Sequence, residues 1–151
     1  MRVFRITRRE YATDLSGEGA FLYGGRWNRK TQRMLYSSEN ASLALLENLA
    51  HLQGIRILPD LVLAELDLGP VRIQELDAGS LPQTWRSHPG PESLKEMGSS
   101  FLEKMEFPAL MVPSVVMPRD KNLLINPLHP DVAAIKIVRI EQFLPENRLL
   151  M

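Results

Sequence analysis

Residues 34–53, with the sequence MLYSSENASLALLENLAHLQ, place a short apolar segment directly before a helical pattern. The segment at 34–37 predicts a buried strand. Over residues 39–53 the apolar positions repeat at helical spacing and Gly54 follows as a terminator, so a helix is predicted there. Its buried stripe is expected to contain Leu45, Leu49 and Leu52 with Ala41.

The segments on either side also mix strand and helix patterns. Strands are predicted at residues 3–7, 61–68, 71–73, 109–112, 123–125 and 134–140, a helix at 92–105, and a loop anchored by Trp85 at 81–91. Glycines within residues 16–25 predict a flexible segment after the first strand. With 151 residues and 44% hydrophobic content, the chain has the size of a single domain, which we place at residues 1–151.

The composition argues against several classes of function. Eighteen basic and eighteen acidic residues cancel, so neither a nucleic acid nor a membrane surface is expected as a direct partner. There is no cysteine, and the three histidines, His51, His88 and His129, lack the spacing of metal ligands. No stretch approaches the ~20 apolar residues that span a bilayer, and the N-terminal residues do not resemble a signal peptide. We therefore expect a cytoplasmic protein without a metal site.

The first candidate for chemistry is the sequence GGRWN at residues 24–28. Gly24 and Gly25 expose backbone N–H groups beside Arg26, whose planar guanidinium forms paired hydrogen bonds with a phosphate or a carboxylate. The alternative is an ordinary glycine turn that carries a surface arginine. So short a motif has little specificity, and its chemistry taken alone favours that alternative.

The second candidate combines Tyr36, at the end of a predicted strand, with Glu47 in the helix that follows. Glu47 is adjacent on the helix to Leu43 and Ala44, so it lies at the border of the apolar stripe and is placed to face a cleft. The alternative is a solvated glutamate that pairs loosely with His51, one turn further along the helix.

The third candidate comprises Ser114, Asn122, Asn126 and His129, polar residues that strand ends and prolines hold in place. No Gly-x-Ser-x-Gly elbow surrounds Ser114 and no histidine occupies a recognisable triad position, so a serine hydrolase is poorly supported. Asn126 and His129 are residue types that more often form turns than catalyse reactions.

Taken in order, these segments resemble the RES domain, a family named for an arginine, a glutamate and a serine and found as the toxin of bacterial toxin–antitoxin pairs. The resemblance covers nearly the whole chain. It rests on residues 4–6 (FRI), 15–20 (LSGEGA), 24–28 (GGRWN), 35–39 (LYSSE), 43–47 (LALLE), 81–85 (LPQTW), 112–114 (VPS), Asn122 and 125–130 (INPLHP). Two positions depart from it: Thr31 stands where the family often has glycine, and Phe101 where tryptophan is common.

The resemblance implies an α+β fold similar to that of ADP-ribosyltransferases, with a twisted mixed β-sheet around a cleft for NAD. It also implies an enzyme, an NAD glycohydrolase or NAD phosphorylase, that uses NAD as its substrate and needs no cofactor. Glu47 would stabilise the positive charge that develops on the ribose, and Arg26 would hold the pyrophosphate. The expected substrate-binding set is Arg26, Tyr36, Ser114, Gly25, Trp27 and Asn126.

Two other functions remain open at this point. A protein ADP-ribosyltransferase uses the same NAD site but presents an acceptor protein to it, whereas a binding module without catalytic activity acts through its partners alone. The resemblance further implies a neutralising antitoxin protein with an Xre-like helix-turn-helix domain. It leaves open whether the chain forms a homodimer.

Overall fold

The computed structural model describes residues 1–52 and 59–150, which form one seven-stranded sheet with three α-helices. The strands are β1 (Arg2–Arg8), β2 (Leu35–Ser38), β3 (Leu61–Asp67), β4 (Ile73–Glu75), β5 (Ala109–Pro113), β6 (Lys121–Ile125) and β7 (Lys136–Phe143). The helices are α1 (Glu18–Tyr23), α2 (Ala41–His51) and α3 (Glu92–Lys104). In the described part of the chain, no helix has the length and apolar character needed to cross a membrane.

The strands are arranged in the order β4-β5-β6-β2-β1-β3-β7. Neighbouring strands are antiparallel except β4 and β5, which are parallel, so the sheet is mixed. In the centre, β2 pairs with β6 so that Leu35 faces Ile125 and Ser38 faces Asn122. This register brings residues more than eighty positions apart in the chain to the same place in the sheet.

Two apolar cores form because neighbouring side chains of a strand point to opposite faces. Along β6, Leu123 and Ile125 enter a first core, and Leu124 enters a second. The first core contains Val3, Leu35, Leu66, Leu68, Ala109, Leu123 and Ile125. The second contains Trp27, Met34, Leu94, Phe101, Leu110, Val112 and Leu124, with Leu94 and Phe101 supplied by α3. Phe101 thus fills the aromatic position noted in the sequence.

The α2 helix begins where a side chain caps it. Asn40 accepts a hydrogen bond from the backbone N–H of Leu43 at 2.8 Å, so the helix begins at Ala41, two residues later than predicted. Its last described helical residue is His51, and the predicted end at Gln53 and Gly54 lies outside the described residues.

The predicted stripe of α2 is wrong. The buried residues of the helix are Leu43 and Ala44, whereas Leu45, Leu49, Leu52 and Ala41 are partly exposed. The packing of α2 on β1 and β2 decides which side of the helix faces inward. Glu47, three positions from Ala44 and four from Leu43, therefore lies on the inward face itself rather than at its border.

Most other predicted elements are confirmed, with shifts at their ends. The strand predicted at 134–140 begins at Lys136, because Pro130–Ala134 forms a 3-10 turn, and the strand predicted at 71–73 begins at Ile73. The loop at 81–91 contains neither an α-helix nor a strand, and Trp85 packs against the second core as expected. The short helix α1 was missed, since its glycines predicted a flexible segment.

Candidate active site

Glu47 is fixed by two hydrogen bonds that end on the same carboxylate oxygen. The Ser114 hydroxyl and the Asn122 side-chain amide each donate to Oε1 of Glu47 at 2.7 Å. Glu47 is half-buried, and the other carboxylate oxygen, Oε2, accepts no hydrogen bond in the described part of the chain. The expected loose pairing with His51 is not seen there either, so the alternative of a purely solvated glutamate does not describe this residue.

Ser114 belongs to the tight connection between β5 and β6. Its backbone N–H donates to the Asp120 carbonyl at 3.0 Å, and its hydroxyl accepts a hydrogen bond from the Met117 N–H at 3.2 Å while donating to Glu47. The residue is 0% exposed. Since the hydroxyl donates to Glu47 and accepts from Met117 in a buried position, Ser114 contacts Glu47 rather than open space, and the expected substrate contact stays a prediction.

Asn122 joins the site from β6, and Ser38 joins it from β2. The Ser38 hydroxyl donates to the side-chain oxygen of Asn122 at 2.7 Å, so Ser38, Asn122 and Glu47 form a chain of hydrogen bonds. Asn122 belonged to the third candidate group but not to the expected catalytic or substrate-binding residues, and Ser38 was in neither set. The signal that identifies them is a pair of polar side chains facing each other in otherwise apolar strands, and it becomes visible once the strand register is known.

Tyr36 stabilises the GGRWN turn through its hydroxyl group. Its hydroxyl donates to the side-chain oxygen of Asn28 at 2.7 Å and accepts a hydrogen bond from the Trp27 N–H at 3.1 Å. Burial raises the pKa of the Tyr36 phenol above its ordinary value, although the nearby Trp27 N–H and Arg26 charge act against this. A Cβ on Gly25 would lie 2.5 Å from the Tyr36 hydroxyl, so this close approach requires glycine at position 25.

Arg26 connects the GGRWN turn to the proline-rich loop. Its Nη1 atom donates to the carbonyls of Trp85 at 3.1 Å and Ser87 at 2.9 Å. Its Nε and Nη2 atoms have no acceptor within the described residues. Burial lowers the pKa of Arg26, and the negative charge of Glu47 opposes this shift, so the two side chains interact electrostatically.

Two predicted contacts lie elsewhere. Trp27 is 3% exposed and its ring packs in the second core, so it shapes the site from within rather than forming the wall of a cleft. Asn126 lies beyond the far end of β6 from Asn122 and is 1% exposed. Its amide donates to the Leu102 carbonyl at 3.3 Å, and its side-chain oxygen accepts from the Leu128 N–H at 3.1 Å. These contacts fit the turn-forming alternative.

A cavity of about 280 Å³ adjoins Tyr36. Arg5 and Asp14 also line it, and Arg5 donates to the Asp14 carbonyl at 2.9 Å. Burial lowers the pKa of Arg5, and the Asp14 charge opposes that shift. Of the site residues expected from the sequence, Tyr36 lines this cavity, whereas Arg26, Glu47 and Ser114 do not. Arg5 entered the sequence analysis as part of a strand and of the resemblance at residues 4–6, but not as a site residue, and its place on the cavity wall makes it a further candidate.

Comparison with known proteins decides the family, because the RES domain family model matches residues 2–146. The chain belongs to the RES domain family. It is similar to a "Toxin Res" of Yersinia enterocolitica, 38% identical over 130 residues that cover 85% of this chain and 86% of that protein. It is also similar to a "Prs ADP-ribosylating toxin" of a Sphingobium species, 32% identical over 152 residues, covering 99% and 94% of the two chains.

The fold of this RES domain also occurs in a solved structure, the MbcT–MbcA toxin–antitoxin complex of M. tuberculosis. The two chains share 16% sequence identity with a TM-score of 0.74, and the match covers 94% of this chain and 83% of the other. The expected single α+β domain with a mixed sheet is thereby confirmed.

Thr31 has a structural consequence in this RES domain. Its φ of 72° lies in the left-handed region, where a β-branched residue is strained. The backbone N–H of Thr31 donates to the Phe21 carbonyl at 2.8 Å, which holds the turn in place. Glycine, the residue that the resemblance leads one to expect at position 31, adopts this conformation without the steric cost.

Proposed function

We propose that this RES domain is the toxin of a toxin–antitoxin pair and cleaves the bond between nicotinamide and ribose in NAD. The observation that carries the proposal is the Glu47 carboxylate, held at Oε1 by two neutral donors while Oε2 accepts no hydrogen bond from the described residues. The names of the relatives support it, since two are a "Toxin Res" and an "ADP-ribosylating toxin", and ADP-ribosylation begins with cleavage of this same bond.

The chemistry needs a fixed negative charge beside the ribose. Loss of nicotinamide passes through an oxocarbenium-like transition state, and positive charge develops on the sugar as the bond breaks. A carboxylate already fixed by hydrogen bonds stabilises this charge without having to reorient. Ser114 and Asn122 supply those hydrogen bonds, so Glu47 is the proposed catalytic residue and the other two position it.

Two guanidinium groups are available for the pyrophosphate. Arg26 retains N–H groups on Nε and Nη2 that the described residues do not use, and its charge interacts with that of Glu47. Arg5 lies on the wall of the cavity beside Tyr36. We infer that the dinucleotide lies between these arginines and Glu47, with Gly25 and Trp27 shaping the turn that carries Arg26.

Transfer of ADP-ribose to a protein is the second candidate. It is favoured by the relative named a "Prs ADP-ribosylating toxin", which is similar over 99% of this chain. Hydrolysis, phosphorolysis and transfer share the cleavage step and differ in the group that attacks the ribose. The proposed Glu47 chemistry applies to all three.

The experiment is incubation of the purified protein with NAD, with nicotinamide release followed by chromatography. Three arms separate the attacking groups: phosphate-free buffer for water, added phosphate, and added Prs protein as an acceptor. The variant Glu47→Gln tests the proposed catalytic residue, and its matched control is Glu39→Gln. Glu39 also accepts a hydrogen bond on one oxygen, from the Lys121 N–H at 2.9 Å, but lies outside the site. We expect the control to retain activity. Absence of nicotinamide release in every arm from folded protein would overturn the proposal.

The cellular role follows from this chemistry. An enzyme that drains NAD harms its own host, so we propose that an antitoxin protein, with an Xre-like helix-turn-helix domain, neutralises it in the cytoplasm. Expression of the chain alone is expected to arrest growth, and co-expression of the neighbouring antitoxin gene is expected to restore it. Normal growth with active enzyme and no antitoxin would contradict the toxin role.

A further inference from the structure

The hydrogen bonds around Glu47 are unevenly distributed between its two oxygens. Both donors reach Oε1, from Ser114 on one side and Asn122 on the other. A carboxylate that only needed to be solvated would gain by sharing its donors between both oxygens. The arrangement instead fixes the rotation of the carboxylate and directs Oε2 away from both donors.

Asn122 can hold Glu47 in only one of its two amide orientations. With the NH₂ group toward Glu47 it donates, but with the amide rotated by half a turn its oxygen would face the carboxylate and repel it. The acceptor-only carboxylate of Glu47 selects the productive orientation, and the Ser38 hydroxyl stabilises it by donating to the Asn122 oxygen at 2.7 Å. Ser38 is 4% exposed, so water competes poorly for this contact.

The position of this pair in the sheet also requires an explanation. Ser38 and Asn122 face each other across β2 and β6, and the next residue pair inward, Ser37 and Leu123, leads to the leucine-rich centre of β6. Apolar side chains would pack at this cross-strand position without the cost of burying polar groups. The polar pair occurs where the strands reach Glu47.

We propose that Ser38 and Asn122 are positioning residues that fix Glu47 so that Oε2 is the oxygen facing the reacting ribose. The inference rests on the proposed function and deepens it. Asn122 acts through Glu47, and Ser38 acts through Asn122. Both residues are therefore expected to affect turnover rather than substrate binding.

The decisive variant is Asn122→Asp, which keeps the shape but replaces the donor with a second carboxylate. Two carboxylates at hydrogen-bond distance resist simultaneous ionisation, so the acid limb of the kcat profile is expected to move to higher pH by about one unit or more. At neutral pH kcat is expected to fall about 10- to 100-fold while KM changes little. Arg26, the charged group that interacts with Glu47, is unchanged in this variant.

The matched control is Asn126→Asp, the same chemical change beyond the other end of the same strand. Its hydrogen bonds are to the Leu102 carbonyl, the Met105 sulfur and the Leu128 N–H, none of them charged, so no shift of the pH profile is expected even if stability falls. A second test leaves the contact between Asn122 and Glu47 unaltered. Ser38→Ala is expected to lower kcat by a smaller factor than Asn122→Asp does, and Ser38→Thr, which retains a hydroxyl, is expected to restore kcat. This pair keeps the test available if Asn122→Asp does not fold.

The outcomes separate the two levels of the proposal. If wild-type protein degrades NAD but Asn122→Asp and Ser38→Ala leave kcat and its pH profile unchanged, the positioning role is overturned and the proposed function stands. If wild-type protein does not degrade NAD, the proposed function fails. An NMR titration of the glutamate carboxyl carbons then decides the inference: Asn122→Asp must shift the Glu47 titration, and an unshifted curve overturns the contact.

Discussion

An asparagine stands near each end of β6, and the two contribute to different kinds of network. The Asn126 amide donates to the Leu102 carbonyl and to the Met105 sulfur, and its oxygen accepts from the Leu128 N–H, so its hydrogen bonds end on uncharged groups. Asn122 gives its amide to Glu47, a carboxylate with one oxygen still available among the described contacts. Burial of a polar residue therefore does not by itself indicate a functional site. What indicates one here is a hydrogen-bond network that ends on a charged group with an oxygen that can accept a further hydrogen bond.

The largest expected effect is that of Glu47→Gln at the Asn122 end. Glutamine retains an oxygen that accepts from Ser114 and Asn122, so the fold is expected to survive, but the charge that stabilises the ribose is lost. Turnover of NAD should fall by about 10²–10³, as for other preorganised electrostatic groups. Nicotinamide release measures the fall, with circular dichroism as the folding control. Unchanged turnover would remove Glu47 from the mechanism.

Asn126→Ala tests the opposite end of the strand. It removes a buried side chain and leaves the Leu102 carbonyl and the Leu128 N–H without their side-chain partner, so the free energy of unfolding is expected to fall by about 1–3 kcal/mol. Urea denaturation measures the change, and the exposed Asn147→Ala serves as the control. Activity per folded molecule should stay at the wild-type level. A loss of turnover without a loss of stability would show that the two ends are not distinct.

Arg26→Lys sharpens the assignment of the arginine near Glu47. Lysine keeps the charge but has one nitrogen only, whereas in arginine Nη1 holds the carbonyls of residues 85 and 87 and leaves Nε and Nη2 available for a phosphate. We expect KM for NAD to rise about tenfold, equivalent to ~1.4 kcal/mol, with a smaller effect on kcat. Steady-state kinetics provide the measurement. Arg139→Lys on β7 is the control, and equal KM values for all three proteins would contradict the role.

Thr31→Gly relieves strain in the turn before β2. At φ 72° glycine avoids the steric cost of a β-branched residue, partly offset by its greater freedom in the unfolded chain. A net stabilisation of about 1 kcal/mol or less is expected from thermal denaturation. Thr31→Ala retains a Cβ and should give no comparable gain, so equal stabilisation by alanine would show that the backbone conformation is not the cause.

The smallest predicted effect is that of Tyr36 on the pH dependence of stability, and it is visible only at alkaline pH. Burial raises the folded-state pKa of this phenol, so its contribution to stability is complete below the unfolded value near 10 and declines as the pH rises toward the folded value. Between pH 9 and about 10.5, wild type should lose up to ~1 kcal/mol more stability than Tyr36→Phe. Urea unfolding at several pH values gives this slope. Tyr23→Phe, at a position that is 78% exposed, should retain the wild-type slope.

Much of the fold could be predicted from the sequence because its signals are local. Six of the seven predicted strands overlap most of an observed strand, since alternation and flanking prolines act over a few residues. The buried stripe of α2 could not be predicted, because several faces of that helix are apolar and contact with β1 and β2 selects one of them. The helix α1 was missed because its glycines obscure the short helical pattern.

The candidate site likewise contains residues that the sequence identifies and contacts that only the tertiary structure shows. Residue type and order within the chain were enough to identify the family and to select Glu47, Arg26 and Tyr36, because those signals survive without knowledge of contacts. The partners of Glu47 were not accessible in this way: Ser114 and Asn122 are separated from it by 67 and 75 residues. Which side chains meet across such distances depends on strand order and register. These features are set by the cooperative packing of two cores, so the register of β2 against β6 turned Asn122 into a neighbour of the carboxylate and left Asn126 in a turn.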